Sequence, residues 1–443
     1  MNQPDHALLT DLYQLTMAQA YLDQGMTDPA VFEFFVRRLP PQRNFLLAAG
    51  LAQAVDYLTS LRFTTDDLAW MERTSRFSSR LLRYLEGLRF TGSVDAMAEG
   101  TIFFPNEPIL RVVAPMPMAQ LVETRLMNLL NFQTMIASKA ARSVLIAEGK
   151  PLIDFGLRRA HGAEAGLLAA RAAYLAGFAG TATVLAGRAF DIPIFGTMAH
   201  SFVQAHANES NAFTHFAQAQ PDNVVLLIDT YDTEAAAQKI VALAPSLQAK
   251  NIPVKGVRLD SGDLADHARK VRTILDEGGL PHATILASGN LDEYRLRELI
   301  RSRAPIDSFA VGTAMTTSAD APSLDCAYKL QEYAGRPCRK RSEGKATWPG
   351  RKQVYRERAT DGQWSHDLLT TSTDRHEGEG LLQPVIRDGQ FVKPLPSLMD
   401  SRRHAAEQLR QLPLALKQLE VASPYEVRIS EALRLLTEQV DKE

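Results

Sequence analysis

Between residues 151 and 317, small or polar residues end a series of apolar segments, at the points where the strands of an α/β sheet would end. The segments read PLIDFGLRR, IPIFGTMAH, NVVLLIDTYDT, IPVKGVRLDSGDL, ATILASGN and SFAVGTAMTT. Helix-forming stretches rich in Ala, Leu, Glu and Arg separate several of them, as parallel strands require. Such sheets bind their ligands at the carboxyl ends of the strands. The six endings predict one shared pocket, which is typical of an enzyme.

Arg258 and Asp260 stand in the densest of these endings, GVRLDSGDL. Residues two apart on a strand project to the same face, so both side chains can enter one cavity. The planar guanidinium of Arg258 suits a carboxylate or a phosphate. The alternative is a buried ion pair without a chemical role.

Asp229 lies where the segment VVLLID meets its loop. Its carboxylate is suited to a ribose hydroxyl or to a water molecule around Mg²⁺. For Asp232 or Thr233, the simpler interpretation is a cap on the following helix, EAAAQKIVALA.

His200 follows a strand, a Gly and a Thr in GTMAHSFV. A single His is often structural, but a place just past the carboxyl end of a strand favours a chemical role. His206 and His215 stand nearby, yet their spacing matches no zinc pattern. Metal chelation by histidine is therefore the weaker interpretation.

Two small-residue turns, ASGN at 287–290 and VGT at 311–313, allow the close approach of a phosphate. In DFGLRRAHG, Phe155 offers an aromatic face, and Arg158 and Arg159 offer cations. Neither GxGxxG nor GxxxxGK[ST] occurs, which excludes dinucleotide-binding folds and P-loop NTPases. The residues predict a pocket for a phosphorylated, ribose-like ligand and a flat anionic partner.

The composition is that of a soluble globular protein, with 45% hydrophobic and 23% charged residues. A formal net charge of -2 gives no electrostatic reason to expect nucleic acid or an anionic membrane as partner. No apolar stretch approaches the ~20 residues of a spanning helix, and MNQPDHALLTDLYQ does not look like a signal peptide. The two cysteines favour a reducing compartment, so the cytoplasm is expected.

The chain of 443 residues is too long for one compact core, so two or three domains are expected, and the pattern along the chain favours three. Residues 1–125 mix helix and strand as an N-terminal α+β domain. Residues 126–330 form the catalytic domain, an α/β domain expected to be an incomplete or irregular (β/α) barrel. Residues 331–443 form a C-terminal extension, a basic loop region followed by helices that pack on the N-terminal domain.

Motifs spread over nearly the whole chain resemble those of the nicotinate phosphoribosyltransferases, which are type II phosphoribosyltransferases of NAD salvage. The matching segments are TDLYQLTMAQAY, FEFFVRRLPPQRNFLLAAGL, DFGLRRAHG, GTMAHSFV, VRLDSGDL, VGTAMTT, SEGKATWPGRKQVYR and PLPSL. The resemblance implies that nicotinate and 5-phosphoribosyl 1-diphosphate give nicotinate mononucleotide and diphosphate. It also implies coupled ATP hydrolysis through a phosphohistidine (hence a ligase-class enzyme), Mg²⁺ bound with the diphosphate, and a homodimer with its active site at the subunit interface.

The same resemblance assigns roles to individual residues. His200 matches the phosphorylated histidine, and Asp229 and Asp260 match the acids around it and around the ribosyl site. The remaining matches are all substrate-binding positions. Phe155, and Tyr13 from the partner subunit, match the aromatic pair around the pyridine ring, and Thr197 and Arg258 match contacts to nicotinate. Gly312 and Thr313 match the 5-phosphate site, and a looser alignment adds Arg158, Arg37 and Lys329 as phosphate contacts. No side-chain set for the metal is assigned.

Ala182 bears on substrate choice. The related nicotinamide-using enzyme has an acid in its GTDT segment, whereas this chain has GTAT with Ala182 at that place. An acid there would repel a carboxylate, so its absence favours nicotinate over nicotinamide.

Three rival interpretations fit less well. Type I phosphoribosyltransferases need adjacent acids and a Gly-containing hydroxyl turn, which LLIDTYDT lacks. Quinolinate phosphoribosyltransferase would need more cations for a second carboxylate, and GTMAHSFV argues against it. A non-catalytic, ligand-sensing relative would keep the pocket without turnover, but His200, Arg258, Asp260 and Thr313 are all present.

Overall fold

The computed structural model describes residues 7–360 and 362–442. The described chain forms two compact units. Residues 7–138 and the residues from 321 onwards form the first unit, and residues 139–320 form the second. Within these ranges no helix combines the length and the apolar character needed to cross a membrane.

The N-terminal part contributes helices and short strands to the first unit. Its elements are α1 (Leu12–Asp23), β1 (Pro29–Val36), β2 (Leu46–Leu47), α2 (Leu51–Ser60), α3 (Thr65–Arg73), α4 (Ser79–Glu86), β3 (Ser93–Ala96), β4 (Ile102–Phe103), β5 (Pro108–Pro115), α5 (Met116–Leu121) and α6 (Glu123–Ile146). Local signals define several ends: a capping box between Thr64 and Asp67 begins α3, and the Ser78 hydroxyl caps α4.

The second unit alternates strand and helix. Its elements after α6 are β6 (Leu152–Asp154), a 3₁₀ helix (Leu157–Arg159), α7 (Ala163–Ala176), β7 (Gly180–Thr181), α8 (Val184–Phe190), α9 (His200–Gln204), α10 (Glu209–Ala219), β8 (Val225–Leu227), α11 (Thr233–Gln248), β9 (Gly256–Leu259), α12 (Leu264–Glu277), β10 (Thr284–Ala287), α13 (Glu293–Arg301), β11 (Ser308–Val311) and α14 (Thr313–Thr316). The Asp232 carboxylate caps α11, as the structural interpretation of that residue predicted.

The C-terminal part is rich in strands. Its elements are β12 (Cys326–Tyr333), β13 (Arg336–Pro337), β14 (Lys352–Arg358), β15 (Trp364–Thr371), β16 (Glu379–Gly380), β17 (Gln383–Arg387), β18 (Gln390–Phe391), α15 (Leu398–Gln411), a 3₁₀ helix (Leu414–Lys417), β19 (Val427–Ile429) and α16 (Glu431–Lys442).

Strands from both ends of the chain build the main sheet of the first unit. Within the described residues its order is β13-β12-β1-β5-β3-β17-β18. β12 pairs antiparallel with β1, and Phe32 stacks on Tyr328 with ring centroids 4.9 Å apart. The described part also contains a second sheet in the order β16-β14-β15-β19 and the pair β2-β4.

The limits of the two compact units differ from the domain boundaries predicted at residues 125 and 330. The boundary between the compact units falls within α6, after Ser138, and again before Ala321. β12, which spans the predicted boundary at 330, has its backbone donors and acceptors paired with β1. Apolar alternation reveals a strand but not its partner, so the sequence alone could not assign β12 to the first unit.

The second unit confirms the predicted α/β class. Its described strands form a parallel sheet in the order β7-β6-β11-β10-β9-β8. In the described chain this order ends at β7 and β8, with a single bridge from Thr181 to Ile194 beyond β7. The strand pairing therefore shows a parallel sheet without confirming closure into a barrel.

One of the six predicted strand segments is corrected. IPIFGTMAH forms only the Ile194 bridge, and Ile194 and Phe195 are exposed. The last described strand on this side of the sheet is β7, the two residues Gly180 and Thr181, which lies between β6 and the Ile194 bridge. A two-residue strand is too short to produce a recognisable apolar segment.

Candidate active site

A cleft of about 210 Å³ opens at the carboxyl ends of β6, β9, β10 and β11. Its lining residues all belong to the second unit: Phe155, Arg158, Arg159, Arg258, Asp260, Ser288, Gly289, Asn290, Ala310, Gly312 and Thr313. Six of the predicted site residues are among them: Phe155, Arg158, Arg258, Asp260, Gly312 and Thr313. Strands far apart in sequence thus bring their polar endings to one place, because the parallel sheet aligns those ends.

Arg258 connects several walls of the cleft. Its Nη2 donates to Asp260 Oδ1 at 2.9 Å and its Nε donates to Ser288 Oγ at 2.9 Å. The guanidinium carbon lies 5.2 Å from the centre of the Phe155 ring, within cation–π range. Nη1 reaches the carbonyl oxygen of Met198 at 3.4 Å. A cation held in this way presents a fixed charge beside an aromatic face.

Asp260 is held in its ionised form. Burial alone would raise the pKa of this carboxyl group, but the Ser288 hydrogen bond and the charge of Arg258 outweigh burial and lower the pKa below its ordinary value. Asp260 Oδ2 lies 3.8 Å from His200 Nε2. The site therefore has a carboxylate between a guanidinium and an imidazole.

His200 is the first residue of α9 and its side chain is 40% exposed. Its Nδ1 lies 3.1 Å from Thr230 Oγ1, a residue that follows β8. The hydroxyl on one side and the Asp260 carboxylate on the other orient the ring. His200 is not among the cleft-lining residues, but Asp260 joins it to them.

Asp229 shapes the loop that follows β9. Its Oδ2 accepts hydrogen bonds from the Asp260 backbone N–H at 3.0 Å and from Ser261 Oγ at 2.5 Å. Its Oδ1 is enclosed and has no hydrogen-bond partner among the described residues. Asp229 thus positions Asp260 rather than lining the cleft itself.

Asp154, which the sequence motifs did not indicate as a site residue, holds the turn that contains Phe155. Its Oδ1 accepts from the Gly156 N–H at 2.8 Å and its Oδ2 from Thr181 Oγ1 at 2.7 Å. Burial raises the pKa of this carboxyl group, and the two hydrogen bonds partly offset the effect. A carboxylate directly before Phe-Gly at a strand end was the signal available in the sequence.

Glycine is required where the cleft turns approach other backbone. Gly289 has a φ of +91°, and a Cβ there would lie 1.9 Å from the Asp260 carbonyl oxygen. Ser288, Gly289 and Asn290 were part of the predicted phosphate turn ASGN, and all three line the cleft.

Other predicted residues lie elsewhere. Thr197 stands on the loop before α9 and is not part of the cleft lining. Tyr13, Arg37 and Lys329 belong to the first unit. There Arg37 pairs with Asp325 at 3.2 Å, and Lys329 Nζ lies 3.7 Å from a Glu123 oxygen.

The histidine pair noted in the sequence does not extend to a metal site. His206 Nε2 and His215 Nδ1 lie 3.1 Å apart. Among the residues the structure describes, no group of three or more His, Cys, Asp and Glu side chains is arranged to hold a metal ion.

Comparison with known proteins matches three family models in order along the chain. They are the nicotinate phosphoribosyltransferase N-terminal domain at residues 8–131, the family domain at 151–342 and the C-terminal domain at 371–437. A nicotinate phosphoribosyltransferase of Mycobacterium tuberculosis is 46% identical over 429 residues, covering 96% of this chain and 92% of the relative. That of Bacillus subtilis is 42% identical over 357 residues, covering 79% and 73%.

A solved structure is also similar over nearly the whole chain. The human nicotinic acid phosphoribosyltransferase has a TM-score of 0.87 and 29% identity, covering 97% of this chain and 99% of that one. The family models, the relatives and the solved structure all indicate the same family. The chain belongs to the nicotinate phosphoribosyltransferase family.

Proposed function

We propose that this protein transfers the 5-phosphoribosyl group of 5-phosphoribosyl 1-diphosphate to the ring nitrogen of nicotinate, releasing diphosphate. Family membership supports the proposal, and so does the similarity to nicotinate phosphoribosyltransferases of other organisms. The observation that carries it is the cleft, in which an aromatic face, a fixed guanidinium and two small-residue turns lie together. These features are suited to a flat anion and a phosphorylated sugar.

The chemistry needs positioning more than acid–base catalysis. The pyridine nitrogen attacks the anomeric carbon with its own lone pair, so no general base is required. The ring would stack on Phe155, with Arg258, and by resemblance Thr197, near the nicotinate carboxylate. The diphosphate leaves as positive charge develops on the ribosyl carbon, which the nearby Asp260 carboxylate would stabilise.

By the same family resemblance, Tyr13 of a partner subunit would cover the other face of the ring in a homodimer. Gly312 and Thr313 would hold the 5-phosphate, and Arg158, Arg37 and Lys329 are proposed as further phosphate contacts. The enzyme would act in the cytoplasm, in NAD salvage.

Mg²⁺ is proposed to bind with the diphosphate. Its preferred ligands are oxygen atoms, and Asp260 offers a carboxylate at the cleft wall. The enclosed Asp229 Oδ1 lacks a hydrogen-bond partner among the described residues and is a second oxygen atom near Asp260. These residues fit a cation that neutralises diphosphate and is otherwise held by phosphate oxygens and water.

His200 is proposed to accept a phosphoryl group from ATP. If Nδ1 donates its hydrogen to Thr230 Oγ1, the lone pair remains on Nε2, on the side of Asp260. Attack of Nε2 on the terminal phosphorus would form an N–P bond and break the P–O bond to ADP. Water would later cleave the N–P bond. The added charge would help to organise the diphosphate site.

One assay tests the reaction itself. Purified protein is mixed with phosphoribosyl diphosphate, Mg²⁺ and one of nicotinate, nicotinamide or quinolinate, with and without ATP. We expect nicotinate mononucleotide as the main product, with ATP stimulating its formation. Failure to form it would contradict the proposal, and carbon dioxide release from quinolinate would support the rival enzyme.

Replacing His200 tests the ATP coupling. His200→Ala should abolish ATP stimulation while leaving a slow ATP-independent reaction, because the cleft that binds nicotinate is unchanged. His206→Ala is the matched control, since the His206 ring contacts the Phe202 carbonyl oxygen and His215 rather than Asp260. Product formation and ADP release are measured together. ATP-stimulated turnover that survives in His200→Ala would refute the role of this residue.

A further inference from the structure

A single buried ammonium group joins two segments that lead away from the cleft. Lys139 is 3% exposed, and its Nζ lies 2.6 Å from Glu293 Oε2 and 2.9 Å from Asp320 Oδ1. One turn later on the same helix, Arg142 Nε donates to Glu293 Oε1 at 2.9 Å. Two cations thus face two carboxylates, all within the second unit. Because the opposite charges attract one another, they offset much of the free-energy cost of removing each group from water.

The first of these segments continues from the turn 288–290. Glu293 is the first residue of α13, four residues after Gly289. The intervening chain is closely held: Leu291 is 2% exposed, and the Asp292 carboxylate caps α13 by accepting from the Arg295 N–H at 2.8 Å. A shift of the start of α13 would therefore move the turn that lines the cleft.

The second segment continues from Gly312 and Thr313. Successive backbone hydrogen bonds tie Thr316 to Gly312, Thr317 to Thr313, and Ala319 to Ala314, at 3.1 Å each. Ser318 is fully buried, which fixes the end of this run. Asp320 follows Ala319, the last residue of this hydrogen-bonded run. The position of its carboxylate therefore depends on the position of the cleft turn that begins at Gly312.

We propose that Lys139 is a positioning residue that sets the spacing between the 288–290 turn and the 312–313 turn. The inference deepens the proposed function, on which it rests, because these turns are the walls suited to the phosphates of phosphoribosyl diphosphate. The nicotinate contacts Phe155 and Arg258 follow or lie on other strands, β6 and β9. Because Arg258 also donates to Ser288 of the 288–290 turn, only release of the 312–313 turn should weaken binding of the sugar diphosphate while leaving nicotinate binding nearly unchanged.

Asp320→Asn weakens the link with the least disturbance, because it removes the negative charge and keeps the size of the side chain. The Asp320 side chain is 21% exposed, so the amide can be solvated, and Lys139 keeps its pair with Glu293. We expect the KM for phosphoribosyl diphosphate to rise about tenfold and the KM for nicotinate to change less than about twofold. A fold-wide defect would change both constants or lower the fraction of active enzyme.

Two further variants serve as controls. One keeps the negative charge at position 320, and the other removes the carboxylate partner of a different lysine. Asp320→Glu keeps the carboxylate and should restore the KM for phosphoribosyl diphosphate to within about threefold of the wild type. Asp266→Asn removes the carboxylate partner of Lys270 on the exposed face of α12, 2.7 Å away, and should leave both KM values unchanged. Equal KM values in Asp320→Asn and in the wild type would overturn the proposal.

Hydrogen exchange provides a readout that does not depend on turnover. In Asp320→Asn, the amides of residues 312–319 should exchange faster, while those of β8 and α11 keep their wild-type rates. Uniform acceleration, or no acceleration, would overturn the inference. Absence of nicotinate mononucleotide from wild-type reactions would defeat the proposed function instead, and the exchange rates would then decide whether Lys139 links the turns.

Discussion

At the scale of residues, the cleft depends on a compact chain of polar contacts around Ser288. Its hydroxyl accepts from Arg258 Nε and can donate to Asp260 Oδ1, so one buried side chain orients both members of the charged pair. Arg258 would bind substrate well only if its guanidinium group already has a fixed orientation before the substrate binds. The alternative interpretation, an ion pair without a chemical role, fits poorly with a pair that lines an open cleft.

The charge of Asp260 predicts a pH dependence of stability. Because its pKa is lowered in the folded chain, the ionised group stabilises the fold above the ordinary value of 3.8, and this contribution is lost as the pH falls below it. Asp260→Asn should reduce the free energy of unfolding near neutral pH by about 1 kcal/mol. Urea unfolding of both proteins should show the difference shrinking below the ordinary pKa. A difference that is independent of pH would contradict this.

Ala182 should decide between nicotinate and nicotinamide. It is exposed and follows β7, where its backbone N–H donates to the Asp154 carbonyl oxygen at 2.8 Å. Ala182→Asp would place negative charge where the substrate carboxylate is expected, so the kcat/KM for nicotinate should fall about tenfold or more. Ala182→Asn is the matched neutral control. Unchanged nicotinate kinetics in the Asp variant would refute the assignment.

At the scale of elements, the site is formed by the turns that follow parallel strands. β9 and β10 are neighbours in register, with Arg258 opposite Leu286 and Leu259 opposite Ala287. The loops after them therefore come into direct contact, and Gly289 lies against the Asp260 carbonyl group. The closeness of two strand ends explains why a residue without a side chain is needed there.

Gly289→Ala should disrupt this contact. A Cβ would lie 1.9 Å from the Asp260 carbonyl oxygen, in addition to the strain of a positive φ. Gly279→Ala is the matched control, because its φ is +76° and nothing lies within 4 Å of the added Cβ. We expect a loss of about 1 kcal/mol in the control and at least twice that in Gly289→Ala, together with loss of activity. Equal losses in thermal unfolding would contradict the steric argument.

At the scale of the whole molecule, the first unit is assembled from both ends of the chain. β12 covers one side of β1, and β17 covers the side of β3 away from β5. The second unit is inserted between these two parts in the sequence. Neither terminal part can complete the main sheet of the first unit alone.

Truncation after residue 320 should therefore prevent folding of the first unit. Removing the C-terminal part would expose the edges of β1 and β3, and unpaired apolar edge strands aggregate. We expect the shortened chain to be insoluble or aggregated on size-exclusion chromatography, whereas the full chain elutes as a defined species. A soluble truncated chain with cooperative unfolding would show that the N-terminal part folds without its partner strands.

The α/β class, the strand endings that carry polar residues and the family resemblance could all be predicted from the sequence. These features are local: an apolar strand followed by Gly, Asp or Thr is visible within ten residues, as with Leu259 and Asp260. The cap formed by Asp232 was predictable for the same reason.

Which distant segments pair, and which charged groups come into contact, could be seen only in the folded chain. The assignment of β12 to the first unit, the two-residue strand β7, the role of Asp154 and the Lys139 link depend on partners many residues away. Periodicity and composition describe a segment on its own, whereas pairing is set by burial and hydrogen bonding between segments. That difference is the physical reason why the polar endings could be found in the sequence but their connections could not.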